Sequence, residues 1–128
     1  MKQADDMYGS GWIEYEGRSI YLLDLTRIGM GDFDYRLAIL DRVHEEIKRA
    51  NDVLILTDIS HSAFTVSSNR LMTDLARKNK PYVLASAIVG ASGVRKTVIS
   101  SIAIITNRKL KTFDTREAAL EWLVRQVP

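Results

Sequence analysis

The sequence predicts an α/β fold: a mixed sheet of about five strands with about four helices, in the order β-β-α-β-α-β-α-β-α. Three observations carry this reading. Two strand-like runs, WIEY and SIYLLDL, flank the pair Glu16-Gly17, and a glycine in so short a connection is a hairpin signal. DVLILTDI is an almost unbroken apolar run, as expected of a strand buried on both faces of a parallel sheet. Around it lie stretches whose apolar residues recur at helical rather than alternating spacing.

Taken in order, the chain opens with a polar lead-in over residues 1–10, read as flexible, and then the antiparallel pair. After GMGDF, the residues Phe33, Leu37, Leu40, Val43 and Ile47 recur at spacings of four, three, three and four. They predict a first helix ending near Asn51, with Asp32 or Asp34 placed to cap its first turn. DVLILTDI follows, carrying Asp58 at its carboxyl end. Leu71, Met72, Leu75 and Ala76 form the next helical stripe, and Pro81 stops it by disfavouring helix in the residue before it. YVLASAIV is the fourth strand. The helix after Gly93 carries Val94, Val98, Ile99, Ile102, Ile104 and Ile105, more apolar surface than one sheet-facing stripe needs. A short strand at KTF leads to Asp114 or Thr115 as the cap of a last helix. Its apolar face is Ala118, Ala119, Leu120, Trp122, Leu123 and Val127. Helical crossovers between parallel strands are right-handed, so the later strands should be mainly parallel.

At 128 residues the chain fits one domain spanning 1–128. Eighteen Lys and Arg against sixteen Asp and Glu leave a net charge of +2, too little for a nucleic-acid footprint unless the cations cluster. The absence of cysteine removes thiolate catalysis, disulfides and Cys-based zinc sites, and is compatible with a reducing compartment. MKQADDMYGS has no apolar core segment, so no secretory signal or anchor is expected. With no apolar run of about 18 residues, neither is a transmembrane segment. The expected location is cytoplasmic.

SAIVGASGVRKT, residues 86–97, looks at first like a phosphate-cradling loop. A Walker-type loop needs Gly, four residues, then Gly-Lys-Ser/Thr; here Gly90 and Gly93 are three apart and Lys96 lies three beyond the second. Nucleotide hydrolysis is excluded on that register. Two readings stay open. Gly90, Ser92, Gly93, Arg95 and Lys96 make an anion site at a helix N-terminus, or Gly90 turns the chain, Ser92 caps the helix and the cations are solvated. Asp58, Ser60, His61 and Ser62 tempt a Ser-His-Asp reading, but neighbours in one loop rarely satisfy a triad's geometry; a loop-capping cluster is expected. His44 lacks companion ligands, and no metal or other cofactor is predicted. Asn107, Arg108, Lys109 and Lys111 form a basic turn without the interleaved aromatics of single-stranded nucleic-acid binders. It reads as solvated.

The stretches VLILTDIS, KNKPYVLASAIVGASGVRK and FDTREAALEWL, with this order of elements, resemble the STAS domain over residues 12–126. The likeness is to its small single-domain, anti-sigma-factor-antagonist-like branch (SpoIIAA-like, CRAL-TRIO-related). The resemblance implies a STAS-like sheet and a non-enzymatic regulatory or interaction module. In the antagonists, Asp-Ser-Ser-Gly at a helix start carries a serine phosphorylated by a partner kinase. Aligned to FTVSSNRL, that serine falls on Ser67 with Ser68 beside it, while Val66 replaces the acid and Asn69 the glycine. Ser67 is then a phospho-switch, or a plain helix N-cap with Ser68 in the first turn.

Met30, Phe33, Ile99, Ile102 and Ile105 are the candidates for an apolar pocket or a subunit contact. Expected partners are a protein regulator or kinase, or a second copy in a homodimer. The alternative is a CRAL-TRIO-like carrier of an apolar small molecule or lipid. No nucleic-acid partner and no enzymatic activity are expected.

Overall fold

A computed structural model describes residues 10–26, 33–60 and 66–128, of which 33–39, 66–69, 71 and 94 by backbone alone. The strands are β1 (Gly11–Tyr15), β2 (Arg18–Asp24), β3 (Val53–Asp58), β4 (Val83–Val89) and β5 (Leu110–Phe113). The helices are α1 (Phe33–Ile47), α2 (Val66–Asn79), α3 (Val94–Thr106) and α4 (Arg116–Val124), with a 3-10 turn at Lys80–Tyr82. The sheet order is β1-β2-β3-β4-β5. Only β1 is antiparallel to its neighbour; β2, β3, β4 and β5 pair in parallel.

The hairpin closes with Tyr15 opposite Arg18, a two-residue turn in which Glu16 and Gly17 both have positive φ, 47° and 80°. That is the turn whose twist suits a right-twisted strand pair, and glycine takes its second position without strain. Trp12 and Tyr21, directly opposite, meet edge to face at 5.1 Å, a cross-strand aromatic pair that helps fix the register.

From β2 onward each crossover moves one strand further in the same direction. Right-handed crossovers in a single direction place every helix on one face, and α1, α2 and α3 lie together. Under them Tyr21, Leu23, Ile55 and Ile88 of the strands pack with Val43, Ile47, Leu75 and Ile99 of the helices. The chain reaches the other face only after β5, where α4 sets Ala119 and Leu123 against Ile20, Leu22, Leu54 and Leu56. The strand residues there on β4 are Ala85 and Ala87, both fully buried, which lets α4 lie close to the sheet. β3 is buried at all six positions because it is central and covered on both sides.

The helix boundaries have local causes. α1 ends at Ile47, four residues before the expected Asn51, in a turn tied by Ala50 N–H to the Ile47 carbonyl at 3.0 Å. α2 ends at Asn79 and gives way to the 3-10 turn that contains Pro81. Thr115 caps α4, its hydroxyl accepting from Ala118 N–H at 3.1 Å. At the far end of α4, Arg18 Nη1 donates to the Val124 carbonyl at 2.9 Å and the Gln126 carbonyl at 2.5 Å, satisfying acceptors that the helix leaves open. α3 departs from expectation: its N-cap is Gly93, not Ser92, with no side-chain cap. Ser92 sits one residue too early for its hydroxyl to do that work, and its carbonyl instead accepts from Arg95 N–H at 3.1 Å.

Candidate functional site

The carboxyl ends of the parallel strands form one candidate rim. The β2–β3 register sets Asp24 beside Asp58, and α4 begins near enough for Arg116 to reach both. Arg116 Nε donates to Asp58 Oδ2 at 2.6 Å, and its Nη2 lies 3.3 Å from Asp24 Oδ2. The other carboxylate oxygens hold the turns that leave the strands. Asp24 Oδ1 accepts from the backbone N–H of Thr26 at 3.0 Å and from its hydroxyl at 2.6 Å, and Asp58 Oδ1 accepts from Ser60 N–H at 2.9 Å. Burial works against ionisation of Asp58, but the hydrogen bonds from Ser60 and Arg116 outweigh it and hold the carboxyl below the usual aspartate range. A carboxylate so tied does not take up a proton near neutral pH. The expected loop-capping role holds for Asp58 and Ser60; His61 and Ser62 lie outside the described residues.

Gly90 closes this rim. Its φ is +94°, and a Cβ there would stand 2.7 Å from Ser60 Cα, so position 90 needs glycine for both conformation and space. Just beyond it, Ser92, Gly93 and Lys96 are exposed, and Lys96 N–H bonds the Gly93 carbonyl at 3.1 Å as part of the first turn of α3. Arg95 is half-buried. Ser67 and Ser68 fall in the first turn of α2, which holds no acidic residue; since α2 follows β3, topology puts that turn at the same end of the sheet. Their side chains lie outside the described residues, as do Met30 and the side chain of Phe33.

A second candidate lies between the sheet and helices α2 and α3. A cavity of about 40 Å³ opens there. Ile99 and Ile102, 3% and 5% exposed, are in its wall, whereas Ile104 and Ile105 point away, 81% and 61% exposed. The six apolar residues of α3 therefore do not act as one surface.

The same cavity is lined by Thr57, Asn79, Ser86 and Arg108, and here the solvated basic turn expected from the sequence is corrected. Asn107 adopts the left-handed conformation at the end of α3 (φ 52°), and Arg108 N–H returns to the Ala103 carbonyl at 3.1 Å. This Schellman-type closure fixes the direction of the chain at Arg108. Its guanidinium turns inward, bonding Ser86 Oγ and, at 3.4 Å, the Ala76 carbonyl. Burial lowers its pKa to about 10, with no charged neighbour contributing, so it stays cationic at neutral pH. The signal in the sequence was Thr57 and Ser86, hydroxyl residues breaking otherwise apolar strand runs. His44 sits nearby, its Nδ1 2.6 Å from Asn79 Oδ1. Among the described residues no three His, Asp or Glu side chains group at a metal-binding spacing, and no helix is long and apolar enough to cross a membrane.

No family model matches the chain, and no curated protein matches it by sequence. Among solved structures, an uncharacterized protein of the DUF3478 family from Shewanella loihica PV-4, with a SpoIIAA-like fold, superposes with a TM-score of 0.66 at 17% identity, covering 89% of this chain and 91% of that one. The five-stranded mixed sheet with its four helices is thus a SpoIIAA-like α/β fold.

Proposed function

We propose that the chain is a non-enzymatic, STAS-like interaction module that docks a protein partner at the carboxyl-end rim and is switched by phosphorylation of Ser67. The observation that supports this best is how the rim uses its charges. Arg116 bridges Asp24 and Asp58, leaving the trio with one net negative charge, and the two carboxylates hold the turns, which makes the rim a preformed surface rather than an acid–base site. At the same end, α2 starts without an acidic residue. A phosphate there, carrying about −1.5 to −2 charges, meets the positive end of the helix dipole and changes the surface a partner sees.

The test is capture from the source cell by wild type, Ser67→Ala and Ser67→Asp at matched melting temperature. A partner held by the first two and lost with Ser67→Asp is the expected result; equal capture by all three leaves Ser67 as a helix residue without a switch role. A second reading, a small-molecule carrier, is favoured by one observation: the cavity beneath α2 and α3.

A further inference from the structure

We propose that this cavity is a binding site for a short-chain monocarboxylate, with Arg108 as the residue that receives the carboxylate. The inference rests on the carrier reading and adds the chemical class of the ligand.

The argument starts from charge. A cation turned into the protein is ordinarily paired or loses its proton, and even Arg116, with its side chain 41% exposed, is held by Asp58 and Asp24. Arg108 has no carboxylate among the described residues. Its two hydrogen bonds go to neutral oxygens, Ser86 Oγ and the Ala76 carbonyl, whereas a guanidinium has five N–H donors. Thr57, 4% exposed, stands in the same cavity wall and carries a hydroxyl. One fixed positive charge, a hydroxyl able to donate and a rigid fork of N–H groups together match a single planar anion held through two oxygens.

The rest of the wall selects the other half of the ligand. Ile88, Ile99, Ile102 and Met72 line it, so the group attached to the carboxylate has to be apolar. The volume, about 40 Å³, is well below the roughly 150 Å³ of an apolar cavity that takes benzene, so a nucleotide does not fit and a tail of a few carbons is admitted only where the wall yields. Met72, unbranched and adaptable, is the wall residue best able to make room for a tail.

The experiment is a methyl-resolved NMR titration of the whole chain with two probes of one shape, butyrate and butan-1-ol. The expected result is saturable shifts of the Ile88, Ile99 and Ile102 methyls with butyrate, at least tenfold weaker binding of butan-1-ol, and at least tenfold weaker butyrate binding in Arg108→Met. The probe comparison in wild type stands even if that variant fails to fold. Equal binding of the two probes in the cavity overturns the carboxylate assignment and leaves the carrier reading. Binding of neither overturns both, and butyrate shifts confined to surface residues overturn the assignment of Arg108.

Discussion

At the scale of single residues, the rim is held by groups whose chemistry is spent on structure. Gly90 needs a positive φ and lies against Ser60. Gly90→Ala should therefore lower stability by about 1–3 kcal/mol from backbone strain alone, more if Ser60 cannot yield, read as a lower urea midpoint at unchanged slope. Asp58 gives a pH test. Its folded pKa is depressed, so its bonded, ionised form contributes stability in full above the unfolded aspartate pKa. That contribution is lost as pH falls through the lower folded value. Thermal stability should fall with acidification below about pH 4, and Asp58→Asn should flatten that part of the profile. A profile identical to wild type removes Asp58 from the account. Arg108 shows what sequence alone could not reach. Its neighbours Asn107 and Lys109 are exposed and the run reads as one basic turn, yet a left-handed Asn107 turns one member inward.

At the scale of elements, the sequence was most legible where one local rule acts alone. The hairpin at Glu16-Gly17, the stop before Pro81, the Thr115 cap and the buried β3 each follow from residues within a few positions. Where two features compete, the local rule fails: Ser92 is a good N-cap residue, but Gly93 stands at the position itself. In α3 the apolar count was correct and its partition was not legible, because only the placement of α3 over β4 and β5 decides which isoleucines face inward. That partition is testable. Ile102→Ala, a truncation in the core, should cost about 2–5 kcal/mol, while Ile105→Glu should leave the melting temperature within about 1–2 °C because a surface change is worth within about 0.5 kcal/mol. Sedimentation of Ile105→Glu then reads self-association directly: a wild-type dimer that becomes a monomer makes the outer face of α3 the subunit contact.

At the scale of the whole molecule, the order of elements was legible but the strand order was not. Mainly parallel later strands follow from helical crossovers, whereas the monotonic order β1 to β5 is set by which strand each crossover returns beside. That order has a functional consequence. It puts three helices on one face, with the cavity beneath them, and gathers the starts of α2, α3 and α4 at the carboxyl ends of the parallel strands, where Asp24, Asp58, Gly90 and Arg116 form the rim. The cavity wall includes Leu23 and Thr57, the residues next to Asp24 and Asp58 of the rim, while Arg108 enters from the turn that precedes β5. The central claim is that a protein partner docks on the rim. Amide hydrogen exchange of the chain, free and in complex with the partner captured by the wild type, tests it most directly. The account predicts slowed exchange at Ile59–Ser60, in the first turn of α2 and over residues 90–96, with the carboxyl-terminal half of α4 unchanged. Slowing confined to the outer face of α3 around Ile104 and Ile105, or to the carboxyl-terminal half of α4, would contradict it.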